Sequence, residues 1–400
     1  MHIAIFMGPF ARGPRDDKPL IDWCLKGAET AASDGFSMIT FGEQHFNNYE
    51  PYCNPLLMGA RLSAVLGDAW FATTVLPLPY HNPIRLAEDL NVLDQLLEGR
   101  FIAGMSAGRI GFSPDFENFG LDPKKQREIF AEKMAALKAL WVHKQDDGPL
   151  AFDGPWVKGG VHGRLMPISH RAPHPHLAIG TNTDPLVRQA GVDGNILFLG
   201  PCPLETAAAK LALFREGLAE GGFDAATIAD RTRKSMVHHQ FVVADSDEEA
   251  WEQMSRMTPF HPLIDRREDK RPYAQMHADS IAERPGTPVE KANETIVRGW
   301  MVAGNPQTVI DMLNAHAAAG FEMVHTRFGF GAYNPDLWDR SYRMFVENVL
   351  PHVDCTPIPK PERHEIQADV AAGPLPVSGP LGGPMGIAAV NSNEPARRVG

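Results

Sequence analysis

The chain has little cysteine, and what it has is not spaced for a metal site or a disulfide framework. Its 400 residues include 4 cysteines, none of which forms a CxxC pair: Cys24, Cys53, Cys202 and Cys355. Scattered cysteines argue against a zinc site and against a disulfide-dense secreted fold, and they fit reduced thiols in a cytoplasm. We therefore expect a cytoplasmic protein with no metal centre.

An excess of positive charge is also missing. The chain carries 38 lysines and arginines against 49 acidic residues, for a net charge of -11. Proteins that bind nucleic acids or anionic membranes usually carry clustered basic residues, so neither is an expected partner. No apolar stretch approaches the ~20 residues needed to cross a bilayer. The start "MHIAIF" lacks the basic and apolar regions of a signal peptide, so none is expected.

The main pattern present is an alternation of short apolar runs with longer stretches of helical period. This alternation is typical of parallel strands joined by crossover helices. The predicted strands are Ile3–Met7, Ser37–Phe41, Trp70–Leu76, Phe101–Met105, His176–Gly180, Asn195–Leu199, Met236–Val243 and Met323–Phe328. This number of units favours an α/β fold of the closed (β/α)8 TIM barrel type over an open doubly wound sheet.

Helices are predicted between these strands. Several begin with proline in the first turn, where the missing N–H has no helical partner to lose. The clearest are Pro83–Leu97, Pro123–Val142, Leu204–Glu220, Pro306–Ala319 and Pro335–Val349.

Two insertions and a tail interrupt the pattern. Residues 144–175, after the fourth strand, are rich in Gly, Pro and His and predict a hairpin and loops; residues 258–298, after the seventh, are highly charged. Connections of this length in a compact domain are usually lids or mobile segments. Residues 356–400 are too poor in apolar side chains to fold and are predicted to be disordered or draped over a neighbour, which leaves 1–355 as the barrel domain.

Polar residues that follow the strands are the candidates for chemistry, because barrel active sites lie at the carboxyl ends of the strands. The second strand is followed by Glu43, Gln44 and His45. The fourth runs into "GMSAGRIGF", which combines flexible glycines with the fixed cation Arg109, and the fifth into "GTNTDP", a helix start with the hydroxyl of Thr183. An arginine beside a helix N-terminus suggests a phosphate site.

Several of these features also have ordinary structural explanations. The glycines of "GMSAGRIGF" do not form a GxGxxG fingerprint and could simply make a turn. His174 and His176 resemble metal ligands but precede their strand and lack companion carboxylates. His238 and His239 are adjacent, so they point to opposite faces of a strand, where packing is the expected role. Arg327 differs, since an arginine at the end of an apolar strand needs an anion or ligand at the barrel mouth.

The order of motifs resembles the bacterial luciferase-like, flavin-dependent monooxygenase family across most of residues 1–352. The family's Glu-His-His-Phe element is similar to "EQHF" here, and its proline-rich third strand exit is similar to "LPLPYHNPIRLAEDLNVLDQLLEGRF". The segments "GMSAGRIGFSPDFENFG", "GTNTDPLVRQAG" and "GNPQTVIDML" are similar to its fourth strand exit, its phosphate turn and a late helix. The middle block of this series is the most specific part of the resemblance.

The resemblance implies a barrel that binds reduced FMN supplied by a separate NAD(P)H-dependent flavin reductase. Reaction with O2 would give a flavin C4a-peroxide that oxygenates a small apolar or carbonyl-bearing organic substrate. The insertion at 258–298 falls where the family has a mobile lid, which would keep water out. Family barrels usually pair through outer helices, so a homodimer is expected.

The resemblance also implies roles for individual residues. Arg109 and Thr183, with Asn182 nearby, would hold the FMN phosphate. The positions expected against the isoalloxazine, where family members often carry a non-prolyl cis peptide, are Ala72, Thr73 and Met105.

The residues predicted to be catalytic are Glu43, Gln44, His45 and Arg327. In bioluminescent members the first histidine of the Glu-His-His-Phe element acts as a base. In this chain the corresponding position is occupied by Gln44. Glutamine takes no proton near neutral pH, although its amide can donate a hydrogen bond, which argues against light emission. His45 could act as acid or base, or could simply pair with Glu43.

Three other functions stay open. A deazaflavin in place of FMN would give hydride transfer without oxygen. The chain could also be a non-catalytic flavin-binding partner subunit, for which the change at Gln44 leaves room. A metal-dependent barrel hydrolase is the third.

Overall fold

A ring of parallel strands organises the computed structural model, which describes residues 1–110, 114–258, 261, 263–328, 335–353, 358–360 and 397–399. The strands are β1 His2–Phe6, β2 Met38–Phe41, β3 Trp70–Thr73, β4 Leu76–Pro77, β5 Phe101–Ser106, β6 Leu150–Asp153, β7 Lys158–Val161, β8 His176–Gly180, β9 Ile196–Leu199, β10 Met236–Val243, β11 Met301–Gly304, β12 Met323–Arg327 and β13 Arg397–Val399.

Hydrogen-bonded registers close the ring in the order β1, β2, β3, β5, β8, β9, β10, β12 and back to β1. Met236 on β10 is in register with Phe198 on one side and with Met323 on the other, and Met323 is in register with His2. The predicted (β/α)8 barrel is therefore confirmed. Its strands are apolar because both of their faces are buried, as in other all-parallel sheets.

Helices surround this ring. They are α1 Asp17–Ser33, α2 Pro55–Leu62, α3 Pro83–Leu96, α4 Asp115–Asn118, α5 Gln126–Val142, α6 Asp184–Val192, α7 Leu204–Glu220, α8 Ala225–Lys234, α9 Asp247–Met257, α10 Tyr273–Ala282, α11 Pro288–Trp300, α12 Pro306–Ala318 and α13 Pro335–Asn348. Asn82 and Asn305 cap α3 and α12 by accepting hydrogen bonds from free backbone N–H groups, and proline follows each. Sequence patterning therefore predicted these helix starts well.

The two insertions have regular structure of their own. In the first, β6 and β7 pair antiparallel as the expected hairpin, and β13 pairs parallel with β6. The second contains α10 and most of α11. It is followed by β11, a strand that the sequence did not predict, which pairs with the second half of β10. Arg271 ties this insertion together through Asp269, Asp279 and Glu294 at 2.5 to 2.9 Å.

Apolar side chains from the strands fill the barrel below its carboxyl end. Trp70, Ile102 and Met323 belong to this cluster, which also includes Ile358. The carbonyl oxygen of Ile358 accepts a hydrogen bond from Nε1 of Trp70 at 3.4 Å, and Lys360 pairs with Asp68 at 2.6 Å. This part of the segment after residue 355 therefore packs against the barrel, although its composition predicted disorder.

Among the described residues, no helix is both long and apolar enough to cross a membrane.

Candidate functional site

A cavity of ≈ 790 Å³ opens at the carboxyl ends of the barrel strands. This volume lies within the range of small-molecule and cofactor sites. Six of the residues selected from the sequence line it together: Glu43, Gln44, Arg109, Asn182, Thr183 and Arg327. The fold therefore gathers residues that are up to 284 positions apart in sequence, from Glu43 to Arg327, around one opening.

The residues expected against the isoalloxazine lie in the barrel wall. Ala72, Thr73 and Met105 are fully buried, and the hydroxyl of Thr73 donates to the carbonyl oxygen of Gly104 at 3.0 Å. The next two residues, Thr74 and Val75, line the cavity and are joined by a cis peptide bond. The buried hydroxyl oxygen of Thr74 has no hydrogen-bond partner within the protein. A polar ligand atom would satisfy it.

Glu43 anchors two histidines. It follows β2 directly, its side chain is 2% exposed, and it accepts hydrogen bonds from Nε2 of His45 at 2.7 Å and Nε2 of His81 at 2.9 Å. Burial raises the pKa of Glu43, but the hydrogen bonds from His45 and His81 outweigh that effect and hold the pKa below its ordinary value. Glu43 is therefore a fixed negative charge.

Within the described residues, His45 contacts the Glu43 carboxylate but is not itself a lining residue of the cavity. Its ring packs edge-on against Phe119, with the centroids 5.0 Å apart, and Phe119 stacks on Tyr80. His81, which was not among the residues selected for catalysis, contacts both carboxylate oxygens of Glu43 through Nε2 at 2.9 Å.

One end of the cavity is suited to a phosphate. Thr183 precedes α6 and makes no capping hydrogen bond with its side chain, so its hydroxyl is available to a ligand. The amide of Asn182 donates to the carbonyl oxygen of Gly200 at 3.2 Å, which holds this turn in place. Arg109 follows Gly108, whose φ of 84 favours glycine, and Arg109 lines the same cavity. A cation beside a helix N-terminus attracts anions.

A pair of buried histidines forms part of the opposite wall. His238 on β10 and His325 on β12 are in register, and their Nδ1 atoms lie 3.1 Å apart. Nε2 of His325 also contacts the hydroxyl of Thr40 at 2.7 Å. Burial lowers the pKa of His325 to about 3 and that of His238 well below its usual range, so both rings are neutral near pH 7.

The neighbouring His239 faces away from the cavity, as the alternation of a strand requires. It packs outside the barrel, with Nε2 3.0 Å from Nε2 of His316. The prediction of opposite faces for His238 and His239 is therefore confirmed, and His238 forms part of the cavity wall whereas His239 does not.

Arg327 reaches the cavity from the end of β12. One terminal nitrogen donates to the carbonyl oxygen of Gly8, and the guanidinium carbon lies 5.0 Å from the ring centroid of Phe6. The predicted position at the barrel mouth is thus observed.

Glu50 is a cavity residue that sequence reasoning missed. It lies in the loop between β2 and α2, lines the cavity and is 4% exposed. Its Oε2 atom has no hydrogen-bond partner within the protein. Burial raises the pKa of Glu50 to about 7, and the nearby guanidinium of Arg327 only partly offsets that rise.

His174 and His176, which resemble metal ligands in the sequence, do not line this cavity. Nδ1 of His174 contacts the carbonyl oxygen of Pro175, and Nδ1 of His176 lies 3.4 Å from a guanidinium nitrogen of Arg231. In the described part of the chain, no group of at least three His, Cys, Asp or Glu residues is arranged to hold a metal ion.

Comparison with known proteins adds a family match. The model of a family described as luciferase-like monooxygenase matches residues 1–323. The chain is 23% identical over 383 residues to 3,6-diketocamphane 1,6-monooxygenase of Pseudomonas putida, and the match covers 88% of this chain and 98% of that protein.

Two solved structures share the fold. One is the oxygenating constituent of 3,6-diketocamphane monooxygenase of Pseudomonas putida, a type II Baeyer-Villiger monooxygenase in complex with FMN. It has a TM-score of 0.69 at 22% identity and covers 88% of this chain and 97% of its own. The other is an F420-dependent secondary alcohol dehydrogenase, with a TM-score of 0.63 at 18% identity over 88% of this chain and 98% of its own.

Proposed function

Because the chain belongs to the luciferase-like monooxygenase family, we propose that it oxygenates a small apolar or carbonyl-bearing organic compound with reduced FMN and O2. In this proposal a separate NAD(P)H-dependent reductase supplies the reduced flavin, and the chain works as a homodimer. Bound reduced FMN would supply the activation of O2, through a flavin C4a-peroxide.

One observation carries the proposal. The predicted phosphate residues Arg109 and Thr183 line the same cavity as Thr74, whose buried hydroxyl has no partner, and as the Glu43 carboxylate. A ligand with an anionic end and polar ring atoms fits this combination, because each polar group would meet a complementary one. FMN has both features.

Different residues of the cavity would contact the phosphate and the ring of the flavin. Arg109, Thr183 and Asn182 would hold the phosphate, and Thr74 with Val75 would contact the flavin ring. The helices α10 and α11 of the second insertion would cover the opening and keep water from the reacting atoms.

Glu43 and its neighbours would act on the other side of the cavity. Gln44 lines the cavity, so its amide can donate to a substrate or oxygen atom there. The buried Glu43 would hold His45 and His81 in fixed orientation. A proton from His45 would then reach the cavity through a bound water.

Anaerobic titration with reduced FMN tests the proposal. We expect saturable binding of reduced FMN, followed by a transient near-ultraviolet absorbance after rapid mixing with oxygenated buffer. Arg109→Lys is a matched control for Arg109→Ala, since it keeps the charge but loses the planar fork that grips a phosphate. Failure of reduced FMN to bind would contradict the proposal.

The likeness to an F420-dependent alcohol dehydrogenase favours a deazaflavin as the second candidate cofactor. The same titration with reduced F420 decides between the two. Tight binding of F420 with no reaction toward O2 would support hydride transfer. Binding of FMN with no turnover on any compound would instead favour a non-catalytic partner subunit.

A further inference from the structure

The carboxyl group of Glu50 is in an unusual position for an acidic side chain. It is buried in the cavity wall, and its Oε2 atom lacks a hydrogen-bond partner within the protein. Oε2 lies against the backbone of Gly42, where a Cβ would come within 2.5 Å of it. The absence of a side chain at Gly42 therefore gives this carboxyl group its place on the cavity.

Desolvation decides the protonation state of this group. A buried carboxylate with an unsatisfied oxygen is unfavourable, and taking up a proton removes the charge. The titratable and charged groups that face Glu50 are Arg327 on β12, Glu43 after β2, Tyr52 in the same loop and Cys24 on α1. Arg327 and a hydrogen bond from the hydroxyl of Tyr52 favour the ionised form, and Glu43 opposes it. Burial dominates, so the carboxyl group is largely neutral below pH 7 and can donate a hydrogen bond.

The charges around Glu50 select the kind of ligand. Glu43 is negative, Arg327 is positive, and the two approximately cancel when Glu50 is neutral. An added carboxylate would disturb that balance, whereas a neutral acceptor would not. The nearby lining includes the apolar ring of Phe6, which lies close to both Gly42 and Arg327.

From this arrangement we infer that Glu50 is a substrate-binding residue that donates a hydrogen bond from its protonated carboxyl group to the carbonyl oxygen of a neutral ketone or aldehyde. The guanidinium of Arg327 lies beside it, where it stabilises negative charge that develops on that oxygen. This inference rests on the proposed function and narrows its substrate class to neutral carbonyl compounds.

Binding of cyclohexanone to the full chain, measured with and without FMN by ligand-observed NMR, tests the inference. Two probes of similar size serve as controls. Methylcyclohexane has no carbonyl oxygen to accept a hydrogen bond, and cyclohexanecarboxylate carries a negative charge. Below pH 7 we expect cyclohexanone to bind most tightly. Glu50→Gln, which keeps a donor, is expected to stay within about threefold of the natural protein, and Glu50→Leu to bind about tenfold more weakly.

The pH dependence separates donation by a protonated acid from simple packing. Affinity for cyclohexanone should fall as the pH rises above about 7 in the natural protein, and should stay flat in Glu50→Gln. In infrared difference spectra of the natural protein against Glu50→Gln, a protonated-carboxyl band should be present below pH 7 and shift when cyclohexanone binds.

Several results would overturn the inference. They are equal cyclohexanone affinity in Glu50→Leu, preference for cyclohexanecarboxylate, absence of cyclohexanone binding, or absence of the infrared band. Binding of reduced FMN to the same variants is expected to be unchanged. If reduced FMN fails to bind even the natural protein, the proposed function fails, while the cyclohexanone series still decides the role of Glu50.

Discussion

Replacing Glu50 by glutamine should change how the stability of the protein depends on pH. Burial raises the pKa of Glu50 from 4.5 to about 7 in the folded state, so the folded protein holds this proton more tightly than the unfolded chain does. The stability that results is fully present below pH 4.5 and is lost as the pH rises through about 7.

The expected size of this effect follows from the same two values. The difference between 4.5 and about 7 corresponds to a loss on the order of 3 kcal/mol in the free energy of unfolding. Glu50→Gln removes the titrating group but keeps its shape. The variant should therefore gain on the order of 3 kcal/mol relative to the natural protein when both are moved from below pH 4.5 to above pH 7.

Urea unfolding of both proteins across this pH range measures the difference, and groups that titrate in both proteins cancel. Glu347→Gln is the matched control, because it makes the same substitution at an exposed position on α13. A pH-independent difference for Glu50→Gln would show that Glu50 titrates like an exposed carboxylate. A difference of the opposite sign would show that attraction to Arg327 outweighs burial.

Three further predictions concern the cofactor, the Glu43 cluster and the tail. Arg109→Ala should weaken binding of reduced FMN at least about tenfold in a fluorescence titration, since charged hydrogen bonds contribute ~1.5–3 kcal/mol; unchanged affinity would refute the phosphate site. His45→Ala should slow turnover while flavin binding stays nearly intact, and full activity would reduce His45 to a packing partner of Glu43. Removal of residues 357–400 should lower the melting temperature because Ile358 is 3% exposed against the barrel, and an unchanged value would mean that this contact adds no stability.

Much of the fold could be predicted because its signals are local. Proline and asparagine mark the starts of α3 and α12, and short apolar runs mark the strands, because both faces of a parallel barrel strand are buried. β11 was missed because its segment Met301–Gly304 follows α11 with no intervening turn and reads as the end of that helix.

The site was predictable only where a residue follows a strand that can be recognised. Glu43, Arg109 and Thr183 met that condition. His238 and His325 did not, because their meeting depends on the register between β10 and β12, which becomes known only when the barrel closes. Glu50 carried no local signal, since a glutamate in a loop is ordinarily exposed.

The two ends of the cavity differ in a way that bears on how two ligands could share it. At one end, Arg109 and the N-terminus of α6 favour an anionic group, although the carboxylate of Asp115 also lines the cavity. At the other end the ionised Glu43 offsets Arg327, and the neutral Glu50, His238 and His325 add no charge. On these charges, an anionic cofactor would be favoured beside Arg109 and a neutral substrate beside Glu50. Ionisation of Glu50 above pH 7 would weaken that preference by adding a negative charge at the substrate end.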